Sequence, residues 1–127
     1  MRNEHEELEP RPIPPYPSAG EPFVLSIGTV AKQFVLVSIG EKVGFDAVRQ
    51  TLSTYGTIPE SEWCDAFQWA YPESDGNGPI GVATIAGKDS FGRPVFRCIR
   101  GYEAGRFRWA GGGKYGKFWR WLVEIKG

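Results

Sequence analysis

The chain has 127 residues, 41% of them apolar and 24% charged, with a formal net charge of zero. That length is one domain's worth and that apolar content is enough for one core, which argues against a multidomain chain. No run approaches the roughly 18 apolar residues of a membrane helix, and the acidic start MRNEHEELEP lacks the apolar core of a secretion signal, so a soluble, cytoplasmic protein is expected.

The charge is unevenly spread. Residues 1–87 hold five Lys/Arg and twelve Asp/Glu, whereas residues 88–127 hold ten and three. Such a split marks either a polyanion-binding half or two halves that face each other and cancel. Eighteen aromatic residues (five Trp, eight Phe, five Tyr) predict an aromatic-rich core, and seventeen Gly with ten Pro predict many turns and more strand than long helix.

Residues 1–20 read as a disordered acidic and proline-rich tail, and residues 21–127 as a single domain. Glu4, Glu6, Glu7 and Glu9 precede five prolines between 10 and 17, a composition that supports neither helix nor central strand. Arg11, Pro14 and Pro17 fit an RxxPxxP spacing, which in so proline-rich a stretch is weak evidence of recognition. Two apolar runs follow, PFVLSIG at 22–28 and QFVLVSIG at 33–40. Both read as paired strands dense enough in apolar residues to be buried on two sides.

In residues 45–55, Phe45, Val48, Leu52 and Tyr55 recur at helical spacing, with Gly56 as the expected C-cap. Thr57 to Glu60 resembles a capping box with proline in the first turn, leading into a second helix striped by Trp63, Ala66, Phe67 and Ala70. That helix must stop before Pro72, and ESDGNGP at 73–79 is a loop. As a helix-turn-helix the pair fails, because the polar side of the second helix carries Glu60, Glu62 and Asp65 and would repel phosphate.

Strands are then predicted at 80–86, 94–102, 106–110 and 117–126, the last two closing into a hairpin. The predicted fold is α+β. It has a mainly antiparallel, curled sheet in the order ββααββββ, with two short helices packed on one face. In the final strand Trp119, Trp121, Val123 and Ile125 share one parity and are expected inward. The other parity holds Arg120 and is expected outward.

No motif announces catalysis: the reading leans against an enzyme, with a small carboxylate-based one as a third alternative, and no cofactor or metal is predicted. His5 is the sole histidine and sits in the tail. Cys64 and Cys98 stand among apolar neighbours outside any CxxC; they read as reduced, buried thiols, though two cysteines suffice for one disulfide. Glu62 and Asp65 could share a helix face but fit a solvated acidic side better than a hydrolytic pair. DGNG at 75–78 lacks the other ligands of a calcium loop, and GGGK at 111–114 lacks the Ser/Thr and the helix of a phosphate-binding loop.

Two binding functions remain. The first is a non-enzymatic module that holds single-stranded or structured nucleic acid on a basic-aromatic C-terminal hairpin, through Arg106, Arg108, Lys114, Tyr115, Lys117 and Arg120. The alternative is an accessory or inhibitor module that engages a basic protein surface through Glu60, Glu62, Asp65, Glu73 and Asp75.

Overall fold

The structure, a computed structural model, describes residues 15–73, 75–100 and 103–126, with the backbone alone at 103–105. His5, Arg11 and Pro14, and most of the expected tail, lie outside the described residues. Pro15 to Gly20 do not behave as a free leader: Pro17 is buried, the Tyr16 ring packs 5.1 Å from Phe67, and the Gly20 N–H donates to the Leu36 carbonyl.

The protein is α+β and, among the described residues, has two helices and one open, six-stranded mixed sheet. β1 (Phe23–Ile27) and β2 (Val30–Ser38) form the first hairpin around Gly28, whose φ of 58° suits a residue without Cβ. α1 (Phe45–Leu52) and α2 (Glu62–Ala70) follow, then β3 (Ile80–Lys88), β4 (Pro94–Arg100), β5 (Glu103–Trp109) and β6 (Arg120–Ile125). Along the chain this is ββααββββ, but in space the strands run β1-β2-β6-β3-β4-β5. β5 and β6 therefore form no hairpin. β5 is an edge strand beside β4, while β6 inserts between β2 and β3, antiparallel to the first and parallel to the second. The reason lies in burial: Trp121, Leu122 and Val123 in the middle of β6 (RWLVEI) point alternately to both faces and are all fully buried, so the strand needs neighbours on both edges and cover on both faces.

The helices lie on opposite faces, not on one. Val35, Val37, Phe96, Cys98, Trp121 and Val123 meet Phe45, Val48 and Leu52 of α1. Phe34, Leu36, Ile80, Val82, Ile99 and Leu122 meet Trp63, Cys64 and Phe67 of α2. Each alternation of β2 and β6 thus feeds a separate core layer. The tryptophan parity of β6 is inward as expected, with Trp121 fully buried, but the opposite parity is also covered, and Arg120 is only 9% exposed.

Two helix boundaries shift for identifiable reasons. α1 ends at Leu52 rather than running to Gly56, because Ser53 and Thr54 turn their hydroxyls back to the carbonyls of Gln50 and Thr51. Gly56 serves a close approach instead: a Cβ there would stand 2.2 Å from the Glu124 carbonyl oxygen. Thr57 is no capping residue, since its N–H and C=O pair with Glu124 of β6 at 2.8 Å each. The second helix consequently begins at Glu62 and stops at Ala70, just before Pro72 blocks it.

Among the described residues, no helix is long and apolar enough to cross a membrane.

Candidate functional site

The connection from β5 to β6 carries Lys114, Tyr115 and Lys117 and must travel from the edge of the sheet to its centre. Despite three consecutive glycines it is firmly tied down. Val43 and Tyr115 exchange backbone hydrogen bonds of 3.0 and 2.7 Å, joining this loop to the one between β2 and α1. The Ser38 hydroxyl donates to the Lys117 carbonyl at 2.7 Å, and the Trp119 N–H donates to Gly116. Tyr115 is fully buried, and its hydroxyl lies 3.1 Å from the Trp109 carbonyl and 3.2 Å from that of Ala110. It is a post that holds the loop, not a solvent-facing contact.

Where the two loops meet they enclose a groove of about 530 Å³, lined by Lys42, Lys114 and Lys117 together with Phe118 and Trp119. Gly116 leaves room for the Lys42 stem, which lies 3.7 Å from the position a Cβ would take. Phe118 is 70% exposed, with the Lys117 ammonium 5.5 Å from its ring centre. Trp119 is half-buried: it stacks on Trp121 at 5.2 Å and meets the edge of Tyr115 at 5.1 Å. The Arg108 guanidinium lies over both Trp119 and Tyr115, 5.6 and 5.4 Å from their centres. Arg106 and Arg108 oppose Cys98 and Phe96 across the β4–β5 ladder, and those partners face α1, so both arginines belong to the α1 side.

Four of the six basic-aromatic residues singled out from sequence therefore share this side: Arg106, Arg108, Lys114 and Lys117. Tyr115 is buried beneath them, and Arg120 is on the other face of the sheet. There Arg120 donates to both carboxylate oxygens of Asp75 at 2.6 and 2.8 Å and to the Gly78 carbonyl at 3.0 Å, with Tyr16 against its guanidinium at 5.4 Å. This fork holds the Asp75 carboxyl below its ordinary range, chiefly through the hydrogen bond from Arg120. The Asp75 carboxylate also accepts the Asn77 N–H at 2.9 Å, so DGNG is a turn locked onto β6. Gly78 is required in it: its φ is +97°, and a Cβ would meet the Phe118 carbonyl at 2.2 Å.

Of the acidic set, Asp75 is thus consumed internally. Glu60, Glu62 and Glu73 are exposed, and Asp65 pairs with Arg97 at 2.6 Å while keeping 54% of its side chain in solvent. Glu62 is held above the ordinary carboxylate range, first by its hydrogen bond with Glu60 and then by desolvation. Burial pushes the Cys64 thiol up to about 12, so it is protonated at neutral pH and unsuited to nucleophilic attack. Both cysteines are free thiols.

Sequence reasoning missed Lys42, Phe118 and Trp119 as groove residues, and it missed Trp69. Phe118 had a signal: it falls on the parity of the charged residues. Lys42 had none, because only the folded chain brings it to Lys114. The chain is thus a small α+β protein with a lysine-rimmed aromatic groove on one side of its sheet. No protein-family model, curated protein or solved structure matches it.

Proposed function

We propose that this protein is a non-enzymatic module that binds single-stranded nucleic acid through the groove between the two loops. The observation that carries the reading is the exposed Phe118 ring set among Lys42, Lys114 and Lys117. An exposed ring offers a face on which an unpaired base can stack, and three ammonium groups beside it can neutralise the adjoining phosphates. Arg106 and Arg108 extend the cationic surface along β5. The acidic face of α2 lies on the opposite side of the sheet and repels phosphate, so a strand is steered to the α1 side.

A labelled single-stranded oligonucleotide titrated at several salt concentrations tests this. Phe118→Ala is expected to weaken binding about tenfold or more, the effect of unstacking one base. Replacing Lys42, Lys114 and Lys117 together by Ala should flatten the dependence of log affinity on log salt by up to about 2, at roughly 0.7 for each phosphate no longer neutralised. An unchanged slope in that triple variant would overturn the reading.

A further inference from the structure

The outer face of α2 carries a second surface of different chemistry. The helix buries Trp63, Cys64 and Phe67 and turns Glu62, Asp65 and Trp69 outward, at spacings of three and four residues that put them in one row. Trp69 is 89% exposed, whereas Trp63 and Trp121 are 3% and 0%. So exposed an indole adds nothing to core packing and offers a partner a broad apolar face with an N–H at its edge.

Beside it, Asp65, Gln68, Trp69 and Pro72 line a shallow groove of about 510 Å³. Asp65 is held in place by Arg97, whose guanidinium lies 5.3 Å from the ring of Phe107, itself 57% exposed. The row therefore presents an apolar ring, a fixed carboxylate and a second apolar ring. Glu62 precedes Asp65 in the row, and the exposed Glu60 and Glu73 flank the helix in sequence.

Charge selects the occupant. These carboxylates reject phosphate and acidic peptides and favour a cation. An indole face next to a carboxylate suits a guanidinium in particular, which can lie flat on the ring and hydrogen-bond to the acid in its own plane. We infer that the outer face of α2 docks an arginine-bearing segment of a partner protein, with the guanidinium over Trp69 and directed to Asp65. This is independent of the nucleic-acid reading, because it uses the other face of the sheet.

The test uses the whole protein and a synthetic nine-residue peptide alternating Arg with Ala, alongside its lysine and citrulline counterparts. Binding is read by calorimetry and by the shift of the Trp69 indole N–H resonance. The arginine peptide is expected to bind tightest and the citrulline peptide weakest. Trp69→Ala should weaken the arginine peptide about tenfold without altering the melting temperature, and Trp69→Phe should restore part of the loss. Glu62→Gln with Glu73→Gln should weaken binding further and reduce its salt dependence. Added single-stranded oligonucleotide should leave the peptide affinity unchanged, so that either site can fail without the other. Equal binding of the citrulline peptide, no saturation up to about 1 mM, an affinity beyond which contact is negligible, or no effect of Trp69→Ala would overturn the assignment. So would a dimer in sedimentation that Trp69→Ala abolishes, which would give the face to a second copy of the chain.

Discussion

Trp121→Ala is expected to lower the unfolding free energy by about 3–5 kcal/mol, the range for truncating a fully buried large aromatic. Trp121 is 0% exposed and sits in the middle of an aromatic stack. Trp119 is 5.2 Å from it, Phe96 5.5 Å, Tyr115 5.6 Å and Phe45 6.4 Å, centre to centre. Its neighbours cannot collapse into the space. Gly81 already approaches so closely that a Cβ there would lie 2.8 Å from the indole, and four rigid rings form much of the remaining wall. Against the roughly 5–15 kcal/mol that holds a domain together, such a loss brings the chain near unfolding. Urea denaturation followed by far-UV circular dichroism measures it without relying on the removed fluorophore. Trp121→Phe, which keeps most of the volume, should lose clearly less. A midpoint unchanged by Trp121→Ala would contradict the packing described.

The second large effect concerns Arg120. Asp75→Ala leaves a guanidinium that is 10% exposed facing an empty partner position, with the Gly78 carbonyl still accepting from it. Removing one member of a buried pair costs about 3–5 kcal/mol; with Asp75 itself 27% exposed, the lower end, about 3 kcal/mol, is expected. The pH dependence follows from the depressed carboxyl. Because the folded protein holds Asp75 below its unfolded value, the stabilisation is fully present above the ordinary aspartate range of about 3.9. It is lost as pH falls through the lower, folded value. The stability gap between the parent and Asp75→Ala should therefore be constant near neutral pH and close in acid below about 3.9. A gap that widened on acidification would mean the pair is not the source of the difference. The same burial makes Arg120→Ala unsuitable as a probe of nucleic-acid binding, since it would damage the fold before it reported on a surface.

Much of the local architecture was legible. The dense apolar runs at 22–28 and 33–40 did become paired strands, and both faces of the second are buried, because neither parity of QFVLVSIG offers a polar side to water. The halt of α2 before Pro72 needed only the ring of that proline. The hairpin of β5 and β6 failed for the opposite kind of reason. Neighbouring strands in sequence usually pair, but a strand such as β6, whose consecutive Trp121, Leu122 and Val123 are all buried, competes for the centre of the sheet. β6 found its partners in β2, some ninety residues upstream (Gln33 opposite Ile125), and in β3. With that pairing went the predicted basic face. Arg120 alternates with the tryptophans as expected, yet the face it points to is roofed by the α2 layer and by an aspartate 45 residues away in sequence.

By itself, then, the amino-acid sequence determined which stretches are helix and strand, the order ββααββββ, and that aromatic rings would fill the core. These follow from spacing and from turn residues that act within a few positions of themselves. Only the tertiary structure decided that the helices lie on opposite faces, that Arg120 is buried and paired with Asp75, and that Lys42 meets Lys114, Lys117 and Phe118 in one groove. Those outcomes depend on which strand captures which edge. That competition is settled by two-sided burial and by ion pairs across the whole chain, and no local pattern encodes it.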